Sequence, residues 1–493
     1  MKKTLSLLLA AIMLIGISAC GDTTDNNLGD DLETLESTSE EGSVTTDSLP
    51  ADLELSGQNV DILIGNYNNA YLQDLYAEEE TGNRISDVVY NNINWVQERL
   101  DVTLKYEWID YVAGPEELEY PTTITSRIMA GDDSMDILFS HNNFMAQMTD
   151  GEYFINLAGT KYLDLEKPWY DQSTVAALPA DNVHFITGAF SLANIKYIYA
   201  TYYNNDLYQS LGHTENLYKL VDEGKWTLSK LEELLKDSYS DLNGNNTPDA
   251  DDRYGLTFGD LNKYVGFVTS LDGAIVSRGN SGYEFAFDSE RTTNIMQKIV
   301  SFVNENENVL PLNQDGNTDY QIKASGGNSI SKQFLEGRAL FTCSLLDDAS
   351  TIVPSIDFSF GLLPYPKWDE TQTEYKSGVM RSCFALIPTV ASDYDAASAV
   401  LEAMSFRNYN TLLPEYCEVS LKVRYSSDND VSRMYDLCIS SAYYDPGMLF
   451  NAYLGYPSLT IRNAVSQNDP NWASRVAALK DSYTDKLEKI SNR

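Results

Sequence analysis

The chain has 493 residues, and its 73 acidic against 34 basic side chains leave a formal net charge of −39. So acidic a surface repels phosphate backbones and anionic headgroups, which excludes nucleic acid as a partner and charge alone as a means of membrane attachment. The length exceeds what one hydrophobic core usually supports, so two lobes are expected.

Lys2 and Lys3 form a charged start, residues 5–17 are apolar, and Ile17-Ser18-Ala19-Cys20 brings small residues before a cysteine. The apolar run is too short to remain as a bilayer span, so residues 1–19 read as a cleaved signal peptide. The tetrapeptide resembles the bacterial lipobox. That likeness implies a thiol at Cys20 carrying diacylglycerol with palmitate-type chains, and hence a lipid anchor on the extracellular face of a bacterial membrane. Residues 20–58 hold no Lys or Arg after the cysteine and are dense in Asp, Glu, Ser and Thr. Such a segment cannot bury enough surface to offset its ordering entropy, and is expected to be a disordered tether.

The folded part is expected to open with a strand at residues 60–64, Val-Asp-Ile-Leu-Ile, followed by the loop Gly65-Asn66-Tyr67-Asn68. Ile85, Val88, Val89, Val96 and Leu100 recur at helical spacing, and a second strand follows at residues 102–108. Strand, helix, strand implies a parallel α/β sheet. A third strand at residues 136–139 runs into Ser140-His141-Asn142-Asn143. Ligands of open α/β sheets sit beyond the carboxyl ends of strands, so both loops are candidate site material.

Farther on, Trp226-Thr227-Leu228 reads as a helix start, with Thr227 as N-cap and Trp226 packing against Leu231. Asp241, Asn243, Asn245, Thr247, Asp249 and Asp252 occupy positions one, three, five, seven, nine and twelve of an EF-hand-like loop. Alternating oxygen side chains at that spacing suit a structural Ca2+, although Asn246 stands where Gly is usual and Asp252 where Glu is usual. A plain acidic turn is the alternative. Trp472, Val476, Leu479, Tyr483, Leu487 and Ile490 mark one face of a long terminal helix that docks on a lobe. Cys343, Cys383, Cys417 and Cys438 lack metal-ligand spacing, which leaves core thiols or a Cys417–Cys438 disulfide. With three histidines and no His-Glu-x-x-His, Gly-x-Ser-x-Gly or phosphate loop, the sequence offers no enzymatic constellation.

Ala130-Gly131-Asp132, Met135-Asp136-Ile137-Leu138, Tyr203-Asn204-Asn205-Asp206-Leu207-Tyr208, Trp226-Thr227, Phe334-Leu335-Glu336-Gly337-Arg338-Ala339-Leu340, Leu363-Pro364-Tyr365-Pro366-Lys367 and Ile387-Pro388 then follow in order. Together with the lipobox and linker they resemble the extracellular solute-binding proteins of ABC importers, in the family (family 1) whose better-known members bind sugars. The resemblance implies a two-lobe, type II periplasmic-binding-protein-like α/β fold. Lobe one would comprise residues 59–195 plus 387–411, and lobe two 196–386 plus 412–493. The chain would cross between them at hinge strands near residues 197–202 and 382–387.

It also implies a monomer that captures an oligosaccharide in the cleft and delivers it to a membrane permease. Sugars present apolar ring faces and many hydroxyls, which suits aromatic, amide and carboxylate side chains. The candidate ligand contacts are Asn66, Tyr67, His141, Asn142 and Asn143 from lobe one. From lobe two they are Asp260 and Tyr264, after a strand at residues 254–258; Asp347, after a strand at 338–343; and Tyr443 with Tyr444. A surface-anchored polysaccharide hydrolase, a peptide-binding protein and a structural adhesin are the alternatives.

Overall fold

The computed structural model describes residues 46–112, 115–142, 153–179, 182–279, 282–312, 330–418 and 429–491. Cys20, the lipobox and Asn143 lie outside the described residues. Strands β1 (Gln58–Tyr67), β2 (Val102–Tyr111) and β3 (Ile137–His141) come early in the chain. The later strands of the two main sheets are β4 (Tyr199–Asn204), β5 (Tyr254–Phe258), β6 (Ala339–Leu345), β7 (Phe360–Leu363) and β8 (Cys383–Leu386).

The first sheet runs in the order β8-β3-β1-β2. β1 is parallel to both neighbours, with Ile62 opposite Tyr106 on one side and Ile137 on the other. Its Val60, Ile62, Leu63 and Ile64 are all nearly inaccessible, as expected for a parallel strand covered on both faces. Burying each such side chain stabilises the fold by about 1.5–3 kcal/mol. β8 returns antiparallel to β3, with Cys383 opposite His141. The second lobe contributes the order β5-β6-β4-β7, in which β5 and β6 are parallel and β4 is antiparallel to β6 and β7.

Helix α1 (Arg84–Leu100) begins where Asn83 accepts the N–H groups of Ile85 and Ser86, and ends at Asp101 in the left-handed region. It buries Val89, Val96 and Leu100, as its spacing predicts. Helix α2 (Lys263–Ser270) is buried along its whole length. Helix α3 (Tyr394–Asn410) is Ala-rich and buried on most sides. Asn92 of α1 joins it, donating to Asn408 at 2.8 Å and accepting from Arg407 at 3.0 Å.

Three boundaries differ from the sequence expectation. The chain is ordered well before Gln58: Leu49 is buried, Asp47 pairs with Arg99 at 3.0 Å, and Ser48 donates to Glu402. β8 belongs to the first sheet, so the return to lobe one begins at Cys383 rather than at 387. The terminal stripe lies on two helices, Trp472–Ala477 and Lys480–Ser491, broken at Ala478 and Leu479. Trp472, Val476, Tyr483, Leu487 and Ile490 are nonetheless buried. Cys343, Cys383 and Cys438 are buried free thiols, which removes the Cys417–Cys438 disulfide.

Candidate functional site

Parallel pairing carries the carboxyl ends of β1, β2 and β3 to one edge of the first sheet. There the Tyr67 ring lies 5.3 Å from that of Tyr111 and 4.4 Å from that of His141. Tyr71 lies 6.2 Å from His141 by ring centroids. Burial, with a smaller contribution from the Arg381 charge, pushes the His141 pKa down to about 3, so the imidazole is neutral at ordinary pH.

The floor beneath these rings is made by two crossing segments. Ile198 bridges Val379, the Met380 N–H donates to the Tyr197 carbonyl at 2.9 Å, and the Leu346 N–H donates to that of Ile198 at 3.0 Å. This pairing holds Arg381 between the lobes, its guanidinium carbon 5.8 Å from the centre of the Tyr67 ring and 5.5 Å from that of Tyr197. Beside it, Lys196 is buried and paired with buried Asp74 at 2.6 Å. Burial acts to lower the Lys196 pKa, but Asp74 and then Asp347 outweigh it and hold the pKa above the usual value.

The second lobe adds the loops after β5 and β6. Asp260 accepts from the Asn262 N–H at 2.7 Å and pairs with fully buried Lys263 at 3.1 Å. Burial alone would raise its pKa; Lys263, the Asn262 N–H and Arg381 together bring it below the usual value. Asp347 accepts from the Tyr416 hydroxyl at 2.8 Å, and burial raises its pKa against the pull of Lys196.

The expected residues thus separate. Tyr67, His141, Asp260 and Asp347 surround the floor. Asn142 reaches its rim, its N–H donating to the Ser382 carbonyl at 3.3 Å, and buried Tyr444 accepts from the Ser382 hydroxyl at 2.8 Å. Asn66 shapes the loop instead: its oxygen accepts from Tyr71 and Leu72, and its amide donates to Asp110 at 2.7 Å. Tyr264 is fully buried, accepts from the Leu312 N–H at 2.7 Å and packs on Phe258, because α2 turns it into the core; it has no face toward the cleft. Tyr443 alternates away from Tyr444 and lies under Lys376, 4.8 Å from its ring centre. Sequence reasoning missed Arg381, Lys196, Asp74, Tyr71, Tyr197 and Tyr416. A charged residue inside the hinge segment before β8 was the available signal for Arg381.

No family model matches the sequence, and no curated protein sequence matches it. Solved structures do. The cyclic alpha-maltosyl-1,6-maltose binding protein from Arthrobacter globiformis superimposes with a TM-score of 0.56 at 12% identity, over 88% of this chain and 99% of that one. The extracellular solute-binding protein from Staphylococcus aureus in complex with maltose gives 0.55 at 12% identity, over 87% and 98%. An ABC substrate-binding protein from Listeria monocytogenes in complex with cycloalternan gives 0.51 at 10% identity, over 88% and 99%. The chain has the two-lobe fold of these binding proteins.

In such a fold, a ligand that drives closure must touch both lobes. The cleft floor meets that condition. A surface depression of about 860 Å³, lined by Tyr203, Tyr208, His213, Tyr218, Phe358 and Phe360, does not. It lies where β4 ends and β7 begins, at the end of the second sheet remote from the hinge.

The acidic loop is organised by its own donors. Asp241 accepts from the Gly244 and Asn246 N–H groups at 2.6 and 2.8 Å, and Asp249 from the amides of Asn245 and Asn243 at 2.6 and 3.0 Å. Buried Asp252 accepts from Leu242 and Asp249 N–H groups and from the Tyr239 hydroxyl. Asn245 accepts in turn from the Thr247 N–H at 2.7 Å. Among the described residues no group of three or more His, Cys, Asp or Glu side chains is gathered for a metal. A cation here would need Asn243 and Asn245 to turn amide oxygens inward, a rotation that exchanges N for O in nearly the same place.

Proposed function

We propose that the chain is the substrate-binding component of an ABC importer, which closes on an extracellular oligosaccharide and hands it to a membrane permease. The observation that carries this is the cleft floor: tyrosine rings from the first lobe and the hinge flank Arg381, with carboxylates of the second lobe opposite. Aromatic faces suit sugar rings, and fixed donors and acceptors suit hydroxyls. The sugar and maltose ligands named for the neighbouring structures support the same class.

Calorimetry of the monomeric mature chain against a glycan panel tests it. A saturable one-to-one complex, from which the sugar is recovered unaltered, is the expected result. If no carbohydrate raises the melting temperature while a peptide does, the ligand class is wrong; release of reducing ends would point to the hydrolase.

Anchoring through Cys20 belongs to the same proposal, since a tether keeps a capturing module within reach of its permease. Cys20→Ser is expected to shed the protein into the medium and to abolish fatty-acid labelling. Retention of label in that variant would defeat the anchor. Structural Ca2+ in the loop at residues 241–252 is proposed from the spacing of its oxygen side chains.

A further inference from the structure

Arg381 differs from the two buried lysines of the cleft floor. Lys196 has Asp74, and Lys263 has Asp260. Arg381 is partly buried, and among the described residues it makes neither a hydrogen bond nor an ion pair; its contacts are the rings of Tyr67 and Tyr197. Carboxylates outnumber basic groups by 73 to 34 in this chain, so a cation without an acid partner is not explained by any shortage of acids. Asp260 is the carboxylate whose charge Arg381 feels, but it lies beyond ion-pair distance and is already engaged by Lys263 and the Asn262 N–H.

Lobe closure strips water from this guanidinium. A neutral sugar would leave the guanidinium without an ion-paired acceptor in the closed cleft, since Asp260 acts on it only at longer range, whereas a carboxylate would supply one. The planar fork of an arginine matches a carboxylate with two parallel bonds, and such charge-assisted bonds are about twice as strong as neutral ones. Resting on the saccharide reading above, we propose that the cargo is an acidic saccharide whose carboxylate is received by Arg381, with partly buried Tyr197 against its sugar ring. Arg381 is then a group kept for the ligand rather than for the fold.

The test is calorimetry of the mature chain with oligogalacturonates, hyaluronan fragments, the carboxyl-reduced counterpart of each, maltotriose and sulfated carrageenan oligosaccharides, which carry no carboxylate. A carboxylated oligosaccharide is expected to bind, with affinity falling about a hundredfold on carboxyl reduction and similarly in Arg381→Gln. Arg381→Lys, which keeps the charge and loses the fork, should fall between. Melting of ligand-free Arg381→Gln is expected to shift by no more than about 3 °C, since no ion pair is lost; a much larger drop would make the arginine structural and end the proposal. Neutral sugars bound as well as acidic ones, with little effect of the substitution, would overturn the acidic cargo and leave the saccharide reading standing. Binding of sulfated probes alone would overturn the carboxylate assignment. Binding of no saccharide would overturn both.

Discussion

In the loop at residues 241–252, Asp241, Asp249 and Asp252 are met by N–H and O–H groups of the same short stretch of chain. At the cleft floor, only the Asp260–Lys263 pair is local; Lys196 reaches back to Asp74 across the fold, and Arg381 has no ion pair among the described residues. The first arrangement forms as soon as the loop folds and asks nothing of the rest of the molecule. The second requires both lobes and the hinge to be in place. Self-satisfied polar groups therefore read as scaffold, and a charge left open between two lobes reads as waiting for a ligand.

The sharpest break of this comparison is Lys196→Met. It removes one member of a buried pair and strands the Asp74 carboxylate, which is expected to lower stability by about 3–5 kcal/mol in urea unfolding. Adding Asp74→Leu should recover part of that loss, because two apolar residues leave no bare charge. A loss under about 1 kcal/mol would mean that the pair does not hold the hinge.

Next in size is the effect of acid on His141. Its folded pKa, about 3, lies below the ordinary 6.5, so the unfolded chain binds the extra proton over that window. Stability from this group is complete above pH 6.5 and is lost as pH falls toward 3. Between pH 7 and 5 the loss is about 2 kcal/mol. Buried carboxyls with raised pKa, such as Asp347 and Glu402, act in the opposite sense over part of this range. The measurement is therefore the difference in pH dependence between the native protein and His141→Asn. Equal slopes would show that His141 is not neutral and buried in solution.

The strands were legible because apolar runs such as Val60–Ile64 and Tyr254–Phe258 are bounded by polar loops, and the loops after them led to Tyr67, His141, Asp260 and Asp347. Tyr264 was misplaced because every residue of α2 is buried, so no polar face marks which way the helix turns. Asn66 is not distinguishable from a contact by sequence, because an amide that shapes a turn looks there like one that binds. Lys196, Asp74, Tyr416 and Arg381 come together only through chain crossings, and no local pattern encodes those. The two-helix break at Ala478 was hidden because the buried stripe continues through it.

The scaffold side of the comparison has smaller tests. Asp252→Ala leaves the Leu242 and Asp249 N–H groups and the Tyr239 hydroxyl without their acceptor, and is expected to cost about 1–2 kcal/mol while leaving ligand affinity unchanged. A chelator separates the two readings of the same loop. If Ca2+ is held there, chelation lowers the melting temperature of the native protein and not of Asp252→Ala; if melting is unchanged, the loop's own donors suffice.

The smallest effect is expected at the helix Leu228–Leu234, where the Thr227 side chain accepts the Lys230 N–H at 3.2 Å, the cap its sequence predicts. Trp226 beside it is fully buried and donates to the Pro364 carbonyl at 2.8 Å, so the helix start is fixed by packing as well as by the cap. Thr227→Ala should therefore cost about 1 kcal/mol in urea unfolding, with the slope of the transition and the sugar affinity both unchanged. The cap is local, like the acidic loop, and distant from the floor, so a change in affinity would show that stability in the second lobe is coupled to closure. That result would blur the division between scaffold and ligand-waiting charge on which the comparison rests.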